Sequence, residues 1–352
     1  MYCSYYNLKC KPFQLNTDPE FFFQSSMHKS AIAYMRYGLM QGEGFVVITG
    51  FPGLGKTMLV RELVKNLNDD DIVIGVMVSS QVGATDTLRV ISGTFGLSFV
   101  DLDKATLLVN IEQFIKSISE NGKRILLIVD EAQNLPKQSL EELRMLSNFE
   151  RNGKIIFQTF LVGQKELRHT IFARDMDQFK QRIVSAFQLK PLNALQTKEY
   201  ILFRLGKAGW ENKPEFNDDI FQKIHDFTNG VPRKINTLCD RILFYGYSSE
   251  LDVIDTEAVS KVIFELEEEM IEDVESFKKV VSDLGDQIGS VDGAGDEEEI
   301  YPISSNEQED SALASRISRV EQKLEKLHVS HRKEKKLLRK TIMIQLDMDD
   351  ED

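Results

Sequence analysis

The sequence lacks the usual features of secreted, membrane-spanning and metal-binding proteins. It contains no run of about 18 apolar residues, and its first residues lack the basic and apolar pattern of a signal peptide. Its three cysteines are scattered without a CxxC pair, which is typical of proteins in a reducing compartment. HExxH and GxSxG patterns are also missing, which argues against a zinc protease site and the commonest serine hydrolase site. We therefore expect a cytoplasmic protein without a transmembrane segment.

The net charge of −13 is distributed unevenly along the chain. Residues 265–310 contain 17 Asp and Glu against two Lys, and residues 311–352 contain ten Lys and Arg against eight Asp and Glu. Residues 1–264 hold 31 residues of each sign and are neutral. The acidic balance therefore belongs to the C-terminal part and says little about the partners of the first 264 residues.

Short apolar runs typical of buried strands alternate with helical patterns in the first part of the chain. The strand-like runs are 45–49, 72–78, 125–129, 155–162 and a weaker one at 186–189. The helical patterns are 58–67, 107–118 and 140–146, with an ambiguous segment at 90–95. This alternation predicts an α/β fold in which helices cover both faces of a parallel sheet.

Only helical patterns follow Pro191, which predicts a small all-helical lid domain. They are 197–208, 218–227, 234–244 and 256–269. Apolar residues then become rare, and the segment from about residue 285 to 312 is rich in Gly, Asp and Glu, which indicates disorder. The predicted divisions are an α/β domain at 1–192, the helical lid at 193–270, an acidic disordered linker at 271–312 and a charged helix at 313–352.

The predicted C-terminal helix is open to two interpretations. Ile317, Val320, Leu324 and Leu327 follow a heptad spacing, but the next two positions are polar, and two heptads are few for a coiled coil. A solvated amphipathic helix explains the pattern equally well. Both readings predict a largely disordered tail that contains one charged helix.

The segment that follows the first strand matches the P-loop pattern in full. It reads Gly50-Phe51-Pro52-Gly53-Leu54-Gly55-Lys56-Thr57, and Met58 comes next in the expected helix. The glycines allow backbone N–H groups to curve round phosphates, and Lys56 is expected to reach the β- and γ-phosphates. The Thr57 hydroxyl is expected to be a ligand for Mg²⁺. We therefore expect residues 50–58 to bind ATP together with Mg²⁺.

Two carboxylates follow the third strand, about 75 residues after the P-loop. Asp130 and Glu131 lie where ligands bind in parallel sheets, at the carboxyl edge. Asp130 is expected to hold Mg²⁺ through water, and Glu131 to act as the general base on the attacking water. A helix cap is the alternative reading, but the P-loop favours the catalytic one. Glu131 predicts hydrolysis of ATP as well as binding.

Three further polar residues are candidates for the same site. Gln164 ends the fourth strand and is a candidate to orient water, or it is a turn residue. Arg182 is a candidate arginine finger acting on a neighbouring subunit, or a surface residue, with Arg168, Arg174 and Lys180 as rivals. Arg233 opens a lid helix and is a candidate sensor of the γ-phosphate. The run at residues 21–23, three phenylalanines, predicts core packing or a share in holding adenine.

These motifs together resemble an AAA+ ATPase, and over about residues 1–268 the sequence resembles the general secretion pathway protein A (ExeA)-type family. The stretches that carry this resemblance are Tyr5 to Leu8, Lys11 to Phe13, Asp18-Pro19, Phe22-Phe23, His28, Gly42 to Phe45, Val129 to Leu135, Glu142 to Phe149 and Asn236 to Arg241. Residues 37–39 and 181–183 resemble, more narrowly, the subfamily associated with exosortase/PEP-CTERM and exopolysaccharide loci.

The resemblance implies an ATPase that powers or regulates a cell-envelope secretion or exopolysaccharide export system. It implies a homo-oligomer that acts on export or polysaccharide machinery. The expected location is the cytoplasm, with a peripheral position at the inner membrane as a further option. Lys56, Thr57, Asp130 and Glu131 take the nucleotide roles, with Arg233 as the lid arginine. Met58 departs from the family, which usually has a second Thr there, but the metal ligand Thr57 is retained.

Two alternatives use the same core. One is a DNA-associated AAA+ ATPase of the transposition-regulator type, which requires a basic face. The balanced charge of residues 1–264 argues against a nucleic-acid partner, although a neutral total can contain a basic stripe. The other is a nucleotide-gated adaptor that binds ATP with little turnover.

Overall fold

The computed structural model describes residues 2–15, 18–42, 44–65, 67, 71–78, 83–151 and 154–269. The acidic linker predicted at 271–312 and the charged helix predicted at 313–352 lie outside the described residues. Within the described part, no helix is both long enough and apolar enough to cross a bilayer.

A five-stranded parallel sheet forms the centre of the fold. The strands of the described chain are β1 (Phe45–Thr49), β2 (Ile72–Val78), β3 (Arg124–Asp130), β4 (Glu150–Arg151), β5 (Lys154–Ile155), β6 (Phe157–Gly163), β7 (Ile183–Gln188), β8 (Glu215–Phe216) and β9 (Val253–Ile254). The central sheet has the order β2-β3-β6-β1-β7, and all its neighbours are parallel. The predicted α/β class is confirmed.

Helices cover both faces of this sheet and continue into the lid. They are α1 (Tyr2–Tyr5), α2 (Ser26–Gln41), α3 (Lys56–Lys65), α4 (Ala84–Thr94), α5 (Lys104–Glu120), α6 (Lys137–Leu146), α7 (Lys165–Ile171), α8 (Asp177–Lys180), α9 (Ala194–Lys207), α10 (Asp219–Thr228) and α11 (Pro232–Ser248). Residues 256–269 are also helical. Residues 90–94 of the ambiguous segment at 90–95 belong to α4, which ends at Thr94.

Side chains alternate between the two faces along the central strands. On β1, Phe45 and Val47 pack into the core formed with α4, α5 and α6, whereas Val46 and Ile48 pack into the core formed with α2 and α3. Successive residues of a strand point to opposite faces, so a strand buried on both sides reads as a continuous apolar run. A Cβ on Gly38 would lie 2.2 Å from Val46 Cγ2, so this glycine lets α2 pack closely against β1.

Some predicted elements differ in detail from the structure. The weaker strand predicted at 186–189 is β7, which begins at Ile183 and ends at Gln188. The strand predicted at 155–162 begins at Phe157, because Ile155 pairs instead with Glu150 in an antiparallel β4–β5 hairpin. The lid predicted to be all-helical also contains a short parallel pair, in which Glu215 opposes Val253. This pair joins the loop after α9 to the loop after α11.

The N-terminal residues pack into the core of the helical part of the chain. Tyr2, Tyr6, Leu8 and Phe13 are buried among side chains of α9, α10 and α11. The Tyr6 hydroxyl donates to the carbonyl of Leu251 over 3.0 Å. The predicted division grouped residues 1–192 with the sheet, whereas long-range apolar packing places residues 2–13 with the lid.

Candidate functional site

The P-loop connects the end of β1 to the start of α3 at the carboxyl edge of the sheet. Gly53 and Gly55 have φ angles of 81° and 86°, in the left-handed region that glycine adopts without strain. The Gly50 N–H donates to the carbonyl of Gly163 over 3.2 Å, which ties the loop to the end of β6. The side chain of Leu54, in the middle of the loop, is buried. The loop therefore has the curved backbone that a phosphate cradle requires.

Lys56 is buried inside this loop, with only 5% of its surface exposed. Its Nζ donates to the carbonyl oxygens of Gly50 and Phe51, each over 3.1 Å. Burial lowers the pKa of Lys56, while the nearby charges of Glu131, Asp130 and Glu166 act in the opposite direction. The loop thus holds a partly desolvated ammonium group at its centre, where a phosphate would be bound.

Thr57 and Asp130 meet across the site. The Thr57 hydroxyl donates to Asp130 Oδ2 over 2.6 Å, and the Asp130 side chain is buried at the end of β3. Hydroxyl and carboxylate oxygens are the ligands that Mg²⁺ prefers, so this donor pair fits the predicted ion. Thr57 and Asp130 are the residues that would hold Mg²⁺, which neutralises phosphate charge when bound.

Glu131 follows β3 in an unusual backbone conformation. Its φ and ψ angles of 53° and 36° lie in the left-handed region, which costs a residue other than glycine about 1 kcal/mol or more. Its N–H donates to Asp130 Oδ1 over 2.9 Å. Its carboxylate accepts hydrogen bonds from the amides of Gln133, over 2.6 Å, and of Gln164, over 3.4 Å. Two side-chain amides therefore surround the proposed general base.

A cleft of about 430 Å³ lies between the P-loop and the lid. The predicted site residues that line it are Pro52, Gly53, Leu54, Gly55, Lys56, Thr57, Met58, Glu131, Gln164 and Arg233. The opposite wall is lined by Phe21, Phe22, Phe23, Tyr200, Arg204 and Asn236, among others. The phenylalanine run is half-buried and lines the cleft, and its share in holding adenine stays a prediction.

Arg233 is brought to the P-loop by the start of α11. Its backbone N–H donates to the carbonyl of Gly53 over 3.2 Å, and a Cβ on Gly53 would lie 2.7 Å from Arg233 Cβ. The N-terminus of α11 therefore abuts the loop, and the exposed Arg233 side chain lies at the mouth of the cleft. Helix N-termini carry partial positive charge and favour anionic ligands.

Arg182 lies at the other edge of the sheet. Its carbonyl accepts from the N–H of Phe45, the first residue of β1, and its guanidinium donates to Asn148 over 2.7 Å. The five residues of β1 separate this position from the P-loop by roughly 16 Å. Arg182 therefore lies outside the cleft of its own chain, and any action on a nucleotide requires a neighbouring subunit.

The sequence interpretation assigned no role to several residues that the structure places at the site, among them Gln133, Arg204 and His28. Gln133 contacts Glu131, and Arg204 lines the cleft. His28 Nε2 contacts the carbonyl of Leu54 over 3.0 Å, and its Nδ1 contacts the hydroxyl of Ser25. Burial lowers the pKa of His28. Gln133 and His28 lie within stretches that carry the family resemblance, whereas Arg204 lies in α9, outside all of them, and no spacing in the sequence assigns a contact to any of the three.

Comparisons with known proteins agree with this geometry. Residues 39–171 match a family model described as an AAA domain. The chain is 34% identical over 249 residues to general secretion pathway protein A of Aeromonas hydrophila, covering 70% of this chain and 45% of that protein. It is 26% identical over 161 residues to an uncharacterized HTH-type transcriptional regulator of Methanocaldococcus jannaschii, covering 45% and 39%. The chain thus spans less than half the length of either curated relative.

Solved structures share the fold. The ORC2 protein of Aeropyrum pernix, in its ADPNP–ADP complexes, has a TM-score of 0.54 at 16% identity and covers 72% of this chain and 71% of its own. CDC6P from Pyrobaculum aerophilum has a TM-score of 0.55 at 18% identity, covering 70% of each chain. The chain therefore has the fold of P-loop AAA+ ATPases, contains a segment that matches an AAA domain, and is similar in sequence to general secretion pathway protein A.

Proposed function

We propose that this protein hydrolyses ATP. The observation that carries the proposal is that Lys56, Thr57 and Glu131 line one cleft, with Asp130 hydrogen-bonded to Thr57 beneath it. Lys56 supplies positive charge for the phosphates, and Glu131 is a carboxylate able to take a proton from water. Binding alone would need only the P-loop, whereas a carboxylate beside it is suited to activating a nucleophile.

In the proposed reaction, water attacks the γ-phosphorus and the bond to the β–γ bridging oxygen breaks, which yields ADP and phosphate. Glu131 accepts the proton of the attacking water. Lys56 binds the phosphate oxygens and stabilises their negative charge. Gln164 lies beside Glu131, where its amide can orient the attacking water. Arg233 adds positive charge from the lid side of the cleft.

Phosphate release from ATP in the presence of Mg²⁺ tests the proposal. The wild-type protein is expected to release phosphate, and Glu131→Gln to lower kcat by about 100-fold or more while nucleotide affinity is kept, because only the base is lost. Glu141→Gln, a partly exposed position on α6, is the matched control. Wild-type protein that binds ATP without releasing phosphate would favour the nucleotide-gated adaptor instead.

We further propose that the ATPase works as a homo-oligomer. Arg182 supports this, because its position at the far edge of the sheet leaves it available to a neighbouring subunit. Arg182→Ala is expected to lower kcat by about 100-fold or more and to leave nucleotide affinity unchanged. Mixing this variant with Glu131→Gln should restore activity in part, since each provides what the other lacks. If Arg182→Ala kept full activity, Arg182 would not be the arginine finger. The kcat of Arg174→Ala would then be measured, because Arg174 is a rival candidate.

The cellular role that we propose is to power or regulate a cell-envelope secretion or exopolysaccharide export system. The similarity to general secretion pathway protein A supports secretion, and the exosortase/PEP-CTERM association is the narrower part of the proposal. We expect the protein in the cytoplasm and peripherally at the inner membrane. Cell fractionation tests this, because a peripheral protein leaves the membrane pellet in high salt. ATPase stimulation by duplex DNA that is lost in moderate salt would favour the DNA-associated alternative.

A further inference from the structure

The Gln133 side chain bridges two parts of the site. Gln133 lies in the short 3₁₀ turn Ala132–Asn134, directly after Glu131. Its Nε2 donates to Glu131 Oε2 over 2.6 Å, and its Oε1 accepts from the backbone N–H of Gln164 over 2.9 Å. One amide thus connects the proposed base to the end of β6.

The chemistry of the partners fixes the orientation of this amide. A backbone N–H can only donate, so the atom that faces Gln164 must be the carbonyl oxygen of the Gln133 side chain. The NH₂ group therefore faces Glu131, whose carboxylate accepts. Both ends of the amide are occupied in the one orientation that satisfies both partners, and this holds the carboxylate in a defined place.

Gly163 provides the space that the amide occupies. A Cβ at this position would lie 2.8 Å from Gln133 Oε1, 3.0 Å from Leu167 Cδ2 and 3.2 Å from the Gln133 backbone nitrogen, so the nearest atom is that of the Gln133 amide. Gly163 has no positive φ angle, so its backbone is one that alanine can adopt. The absence of a side chain here thus serves the close approach of Gln133.

We propose that Gln133 is a positioning residue that orients Glu131 and couples it to the end of β6. This role rests on the proposed hydrolysis and adds a residue to it. The contact from Gln133 to Glu131 is shorter than the 3.4 Å contact from the Gln164 amide. Gln133 therefore carries the main hydrogen bond to the carboxylate, and the Gln164 side chain is left to orient water.

Replacing Gln133 by methionine tests the role, because methionine has a similar length and no hydrogen-bonding amide. Gln133→Met is expected to lower kcat about 10- to 100-fold, from the loss of a hydrogen bond to a charged group, while the Kd for ATP stays within about twofold. A loss confined to kcat is not what general loosening of the fold would cause. Gln138→Met, at an exposed position in α6, is the matched control and should match the wild type.

Gly163→Ala is a second variant that displaces the amide without removing it. It should lower kcat in the same way, and combining it with Gln133→Met should lower kcat no further than the stronger single change, since both act on one contact. Single variants with wild-type kcat, or fully additive losses, would overturn the role and leave the proposed hydrolysis standing. Wild-type protein that releases no phosphate would overturn both.

Discussion

The two walls of the cleft are built in different ways. The P-loop wall is one continuous stretch of sequence, in which Lys56 bonds to carbonyls five and six residues away. The opposite wall is assembled from distant segments: Arg204 of α9 donates to the carbonyls of Pro12 and Gln14, about 190 residues earlier. The first wall is defined by local backbone geometry and the second by tertiary packing.

This difference suggests a division of work between the walls. The continuous wall holds the Lys56 ammonium group, which is suited to phosphates, whereas the assembled wall presents aromatic rings and one buried guanidinium. The guanidinium of Arg204 lies over the ring of Phe21, with Cζ 5.2 Å from the ring centre, and also donates a hydrogen bond to the Tyr200 hydroxyl. Changes to the first wall should therefore affect ligand binding directly, and changes to the second should act through stability.

The largest effect is expected from Lys56→Ala in the continuous wall. Removing the buried ammonium group takes away the charge at the centre of the loop, so affinity for ATP should fall at least about 100-fold. Equilibrium binding of a fluorescent ATP analogue measures this. Lys65→Ala, at the exposed end of the same helix α3, is the matched control. If Lys56→Ala retained its affinity for ATP, the Lys56 ammonium group would not be a phosphate contact.

The same difference explains what could be predicted from the sequence. The P-loop and the Asp130-Glu131 pair are contiguous patterns, and the strands β1 and β2 are apolar runs whose bounds match the structure. The packing of residues 2–13 against the lid depends on contacts across more than 180 residues, which periodicity does not encode. The Gln133 contact was missed for a related reason, since it depends on the left-handed turn at Glu131 and on the space beside Gly163.

An intermediate effect is expected from Arg204→Met in the assembled wall. The variant leaves the carbonyls of Pro12 and Gln14 and the Tyr200 hydroxyl without a buried donor, and the free energy of unfolding should fall by about 2–4 kcal/mol. Urea denaturation measures the change.

The matched control for this prediction lies on the same helix. Lys207 is exposed, so Lys207→Met should change the free energy of unfolding by about 0.5 kcal/mol or less. If Arg204→Met is as stable as the control but binds ATP much more weakly, the guanidinium contributes to the ligand directly. In that case the proposed division between a binding wall and a packing wall would be wrong.

The smallest effect concerns His28, which joins the two walls through Leu54 of the P-loop and the ring of Phe22. Burial lowers the pKa of His28, so the unfolded chain takes up a proton near the ordinary pKa of about 6.5 while the folded chain does not. Stability should therefore fall as the pH drops below that value, by at most about 1.4 kcal/mol per pH unit.

His28→Gln cannot titrate, so its loss of stability between about pH 7.5 and about pH 5.5 should be smaller than that of the wild type. An equal slope in His28→Gln and the wild type would show that protonation of His28 does not oppose folding.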